Sequence, residues 1–280
     1  MRRTTAGAGP IFRRYGPAVH PRLAVNSLSS ASWTLEQDLD LYAELGVRGV
    51  SLFLDKATAI GVDKAADLLA GFNVVHVFAR GFTLHDPATW PDDQARLREG
   101  VELAAELGAP WFGMTAGAAG RLSWDEAAAA LGRAIEPLAV DGVRLAVEHS
   151  LPVRPEIGFV HSLRDCIELA DRLGVGATME VNYCFAERDL AATLAAGAGS
   201  LATVQVSDLV PPSTVLPDRA VPGDGVIPLA EVLALVLGAG YAGPVELEML
   251  GPRIEAEGYG PALRRAVAAL DAILAEVAPA

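Results

Sequence analysis

The sequence predicts an α/β chain folded as a single (β/α)8 barrel, and three observations carry that expectation. Short β-branched runs alternate eight times with amphipathic stretches, glycines mark the passage from helix to next strand, and no low-complexity linker interrupts the series. Alternation of this kind implies a parallel sheet with crossover helices. Eight units in about 260 residues match a barrel's usual size of roughly 250. The rival, a doubly wound open sheet, calls for a Gly-rich phosphate turn after the first strand. Leu28-Ser-Ser-Ala-Ser-Trp33 stands there instead.

In chain order the strand candidates are Leu23–Leu28, Val47–Leu54, Asn73–Ala79, Pro110–Thr115, Val143–His149, Val175–Val181, Leu201–Ser207 and Pro244–Leu250. Thr34 with Gln37, and Ser123 with Glu126, have capping-box spacing and predict helix starts. Gly46, Gly108, Gly174 and Gly240 predict helix ends, where a left-handed residue costs little. Residues 1–20 carry four arginines and no acid, and read as a loose arm ahead of a barrel domain over 21–280. They lack the apolar core of a secretory signal. The loop from Val210 to Ile227, rich in Pro, Gly and Asp, is long enough to cover a site.

Composition narrows the function. With 51% hydrophobic residues the chain must fold, and no apolar run approaches bilayer length, so a soluble cytoplasmic protein without membrane contact is expected. A net charge of −13 opposes a nucleic-acid partner. Two cysteines, Cys166 and Cys184, exclude a disulfide framework and a four-thiolate zinc site. Schiff-base chemistry has two candidates, Lys56 and Lys64.

Barrel strands alternate between helix-facing and lumen-facing residues. With Val147, Met179, Val204 and Leu247 packed outward, Glu148, Glu180, Gln205, Glu246 and Glu248 face the lumen on four consecutive strands. Gathering unpaired carboxylates costs at least several kcal/mol per ion, a cost that a divalent cation removes. Oxygen ligands without a thiolate favour Mn²⁺ first, then Mg²⁺ or Co²⁺, over structural zinc. Such an ion could polarise a carbonyl and lower the barrier to an enediolate. Of the pair on the last strand, Glu248 lies nearer the carboxyl end and is taken as the ligand, with Glu246 deeper. The competing explanation is pairing with lumen arginines, for which Arg144 has the right parity.

These residues lie in Leu145-Ala-Val-Glu148-His149, Met179-Glu180-Val-Asn-Tyr183, Val204-Gln205-Val-Ser-Asp208, Asp218-Arg219-Ala-Val-Pro-Gly223-Asp-Gly225 and Gly240-Tyr-Ala-Gly243-Pro-Val-Glu-Leu-Glu248. In them the chain resembles, over nearly its whole length, the sugar phosphate isomerase/epimerase family. These are xylose isomerase-like TIM barrels that include D-tagatose 3-epimerase, hydroxypyruvate isomerase and inosose dehydratase. The resemblance implies a metal site of Glu148, Glu180, Gln205 and Glu248, with Glu148 and Glu248 as the acid/base pair. Glu180 stands where the family has Asp, Gln205 where it has His, and Tyr183 where many members have a substrate-touching His. Arg219 matches an arginine that relatives aim at substrate oxygens.

Further substrate-binding candidates are His76 at lumen parity, His149 at the end of its strand, and Asn26 at the end of the first. Lys56 reads as a solvated loop charge. Asp208 reads as a support for Arg219 or a ligand. Trp33, Phe53, Phe78, Trp111 and Phe112 could wall a sugar ring. The function expected is a metal-dependent isomerase or epimerase of a ketose or keto-sugar, with a dehydratase or sugar-cleaving lyase as the alternative. A non-catalytic barrel and a phosphodiester-cleaving relative are further readings; few histidines and the acidic charge oppose the latter. Association into a homo-oligomer is an open expectation.

Overall fold

A computed structural model describes residues 15–278. Eight parallel strands close into a barrel in sequence order: β1 (Leu23–Asn26), β2 (Gly49–Phe53), β3 (Asn73–Ala79), β4 (Trp111–Thr115), β5 (Arg144–Glu148), β6 (Gly176–Glu180), β7 (Leu201–Val206) and β8 (Val245–Leu247). β8 pairs with β1, so no sheet edge remains. The chain is an α/β (β/α)8 TIM barrel. No helix among the described residues is long and apolar enough to cross a membrane.

The strand ends differ from the expected ones for local reasons. β1 stops at Asn26, whose side chain accepts from the Leu28 main-chain N–H (3.0 Å) and starts a short 3₁₀ turn, Ser27–Ser30. β8 shortens to three residues, yet the Glu248 N–H still donates to the Val206 carbonyl (3.1 Å), keeping Glu248 at the rim. Both capping boxes form, starting the helices Leu35–Glu44 and Trp124–Ile135. Gly46, Gly108, Gly174 and Gly240 all have positive φ at helix ends.

The helices bury apolar faces on the outward side chains of the strands, so the main core forms a ring around the barrel. Of the expected arm, residues 1–14 lie outside the described residues. Tyr15 packs beneath Arg48, whose guanidinium carbon is 3.2 Å from the ring centre, and His20 donates its main-chain N–H to Asp271 (2.6 Å).

Candidate active site

Strand register sets the depth of each lumen residue. Gln205 is level with Glu180 on one side and Glu246 on the other, which leaves Glu248 two residues nearer the carboxyl end. Glu148 ends β5 opposite Thr115 and Thr178. All four acids and Gln205 are buried. Glu148, Glu180 and Glu248 each offer an oxygen within 4.8 Å of the others. They lie at the barrel's carboxyl end, where sites of this fold are built.

One cation reaches this trio among the described residues. Arg219 Nη1 donates to Glu180 Oε2 (2.7 Å), to the Glu248 main-chain carbonyl (2.9 Å) and to the Glu248 carboxylate, while Nη2 donates to the Tyr183 hydroxyl (2.8 Å). The arginine is 2% exposed, so it is not the solvated loop charge that its position in the sequence allows. Burial opposes its charge, but Glu180, Tyr183 and Glu248 together hold the guanidinium protonated. One positive charge does not balance three carboxylates. Burial, then Glu248 and Glu180, push Glu148 well above the usual carboxylate range. Burial raises Glu180 to about 8 against the pull of Arg219.

Beneath the trio runs a buried polar chain. Gln205 Nε2 donates to Glu246 Oε1 (2.7 Å) and, more weakly, to Glu248 Oε1 (3.5 Å), and Ser51 donates to the other Glu246 oxygen. His76 Nδ1 is 3.6 Å from Glu246. Its ring fits only because residue 113 is glycine: a Cβ there would sit 2.0 Å from His76 Nε2. Asn26 Nδ2 donates to Glu248 Oε1 (3.3 Å). His149 turns Nε2 to accept the Glu180 main-chain N–H (3.1 Å), and burial with the nearby Arg219 holds the imidazole neutral, pushed down to about 3. It therefore fixes the backbone under Glu180. The Tyr183 ring meets the His149 ring edge-on, 5.9 Å away, and burial raises its phenol to about 12.

Asp208 has a sharper role than its sequence suggests. Its carboxylate accepts four main-chain N–H groups, from Leu209, Gly223, Gly225 and Ile227 (2.8–3.0 Å), which gathers the loop after β7. A Cβ on Gly225 would fall 2.3 Å from Asp208 Oδ1. Paired main-chain bonds between Asp208 and Ala220 then set Arg219 over the trio. The spacing Asp208…Gly223-Asp-Gly225 carries that signal, as Asx-type carboxylates commonly organise turns.

Four expectations need correction, those for Arg144, Lys56, Trp111 and Phe112. Arg144 does not enter the lumen. It stands exposed at the start of β5, stacked 3.7 Å over Trp111, beside a 440 Å³ cleft at the opposite end of the barrel. At a strand's first residue, inward parity opens to solvent. Lys56 is not solvated either: it is buried, donating to Asp38 (2.5 Å) and the Ser30 carbonyl (2.9 Å). Trp111 is thus far from the trio. Phe112 packs outward against Gly100, while Trp33 meets Tyr259 edge-on. Phe53 and Phe78 pair near His76.

The donors present suit a divalent ion. No described hydrogen-bond donor reaches the Glu148 carboxylate, and Gln205 Oε1 is buried without a partner. With Glu180 and Glu248 this makes a hard, all-oxygen donor set whose negative charge, on ionisation, a dication would offset.

Several solved structures share the fold, these three among them. A protein from Sinorhizobium meliloti 1021 is 23% identical with a TM-score of 0.79, covering 92% of this chain and 98% of its own. The IOLI protein with a binding zinc atom is 17% identical at 0.78, over 92% and 100%. D-Psicose 3-epimerase with D-tagatose, from Clostridium cellulolyticum H10, is 14% identical at 0.70, over 90% and 98%. No curated protein matches the chain. Residues 39–273 match the family described as xylose isomerase-like TIM barrel, and with the closed eight-stranded barrel and its carboxyl-end acids, this chain belongs to that family.

Proposed function

We propose that the chain is a divalent-metal-dependent isomerase or epimerase of a ketose or related keto-sugar. The observation that carries this reading is the trio Glu148, Glu180 and Glu248, buried within 4.8 Å of one another with a single guanidinium as counter-charge. Glu148, Glu180, Gln205 and Glu248 would hold the ion. When bound, it would polarise neighbouring substrate oxygens and offset negative charge that develops on them. The epimerase with D-tagatose and the IOLI protein with zinc lend support from the same fold. Mn²⁺ remains our first choice of ion on the all-oxygen donor set, with Mg²⁺ and Co²⁺ next.

The residues divide the remaining work. Glu148, whose carboxylate no described donor reaches and which burial holds toward its neutral form, can exchange a proton with a carbon beside the substrate carbonyl. Glu248, kept in place by Asn26 and Gln205, serves the other face. Tyr183 and Arg219 offer donors to substrate oxygens, and His149 holds the Glu180 backbone. His76, fully buried beside Glu246, is assigned to the substrate's deep end. The loop gathered by Asp208 shields these groups from water, leaving a cavity of about 20 Å³ between Tyr183, Pro217 and Arg219.

The test is incubation with five- and six-carbon ketoses in deuterated water, with Mn²⁺ present. Deuterium entering beside the carbonyl, with the carbon skeleton and hydroxyl count intact, is expected. Replacing Glu148→Gln or Glu248→Gln should slow that uptake about 10²–10⁴-fold. Loss of water or of a fragment would assign the lyase reading instead. No isotope uptake with any ketose would remove the proposal.

A further inference from the structure

Arg219 and a dication compete for the same carboxylates. The guanidinium Nη1 is hydrogen-bonded to both Glu180 and Glu248, two of the three acids proposed to hold the ion. A metal on those oxygens would bring a second cation against the first inside a buried site, where charges repel strongly. The clasped arrangement also leaves Arg219 Nε buried without an acceptor, a cost that a different side-chain pose would relieve. Three contacts keep the arginine from leaving altogether. Its main-chain N–H donates to Leu250 (2.8 Å), the Asp208–Ala220 bridge fixes the next residue, and Nη2 is bonded to Tyr183.

We propose that Arg219 is a built-in, displaceable counter-cation: it neutralises Glu180 and Glu248 in the metal-free chain and swings off them when a divalent ion enters. This rests on the reading that the trio holds a metal. It goes further, because it makes one side chain set metal affinity and then, once displaced, turn toward substrate oxygens. Metal loading and substrate recognition are thereby coupled through a single guanidinium. In the metal-free chain Glu180 and Glu248 thus keep a positive charge between them.

Calorimetric titration of the metal-stripped chain with Mn²⁺ tests this without reference to activity. In R219Q the ion no longer displaces a bound cation, so Mn²⁺ should bind about tenfold more tightly than in the native chain. Equal or weaker binding in R219Q would show that ion and guanidinium coexist, removing the displacement while leaving the metal reading in place. No Mn²⁺ binding by either protein would remove both. Should R219Q fail to fold, native crystals grown with Mn²⁺ decide the matter: Arg219 Nη1 away from Glu180 Oε2 supports the exchange, and an unbroken contact overturns it.

Discussion

Two buried charge clusters lie toward the same end of this barrel, and they are wired in opposite ways. At the ends of β1 and β2, Lys56 meets Asp38 one to one, with Ser30 Oγ donating to the other Asp38 oxygen (2.5 Å) and its carbonyl accepting from the lysine (2.9 Å). At the ends of β5 to β8, three carboxylates share one guanidinium, and buried acceptors remain without donors. The first cluster balances its charge and ties a short 3₁₀ turn and two helices together. The second crowds more acids together than it has cations, so burial and mutual repulsion hold Glu148 and Glu180 toward their neutral forms, as sites poised for a cation or substrate do. Charge balance, more than burial, separates a structural ion pair from a candidate site.

If that distinction holds, removing one partner should have opposite consequences in the two places. The largest effect is expected at the balanced cluster. Lys56→Met leaves Asp38 buried without its cation, and chemical denaturation should show a loss of about 3–5 kcal/mol. Adding Asp38→Leu to K56M should restore most of that loss, because no unpaired charge is left behind. A K56M chain as stable as the native one would mean the pair contributes nothing and would dissolve the contrast.

A second, smaller effect sharpens the comparison through pH. Burial raises Asp38 from 3.8 to about 6 even with Lys56 beside it. The folded chain therefore keeps a proton that the unfolded chain has already released. The stability contributed by this carboxyl is complete below pH 3.8 and is lost as pH rises through 6, a fall of about 3 kcal/mol. The native chain measured against D38N from pH 4 to pH 7 should show that decline. A flat difference would mean that Lys56 keeps Asp38 ionised throughout.

The two clusters also differ in how far the sequence reveals them. Lumen parity on four adjacent strands singles out Glu148, Glu180, Gln205 and Glu248, because a strand's period of two leaves each side chain one of two faces. Arg219 offers no such signal: it sits in a loop, and its burial depends on Asp208 gathering main-chain groups up to nineteen residues away. Lys56 reads as solvated because the residues after β2 look like a loop, whereas they form a helical turn, Leu54–Thr58, that turns the lysine inward. A sign of this lies in the partner helix, where Asp38 falls among Leu35, Leu39 and Tyr42 on the buried stripe. An acid on an apolar stripe demands a cation, and the chain has only two lysines. Arg144 shows the opposite error: its parity is inward, but at the first residue of β5 the lumen opens to solvent.

The smallest effect is also the most diagnostic, because its sign should be reversed. Burial, and then the facing Glu248 and Glu180, strongly disfavour the charged form of Glu148 in the metal-free fold, and no described donor reaches its carboxylate. Its contribution to stability is full below its unfolded value near 4.5 and is lost as pH rises toward its raised folded value. Glu148→Gln removes that burden while preserving shape. In metal-free protein at pH 7.5 it should raise stability by about 1–2 kcal/mol, and near pH 4.5 the gain should vanish. Saturating Mn²⁺ should invert the ranking, since the native chain then gains binding energy that E148Q partly lacks. An E148Q chain that is less stable than the native one without metal would mean that the trio is satisfied as it stands, and that both clusters are structural.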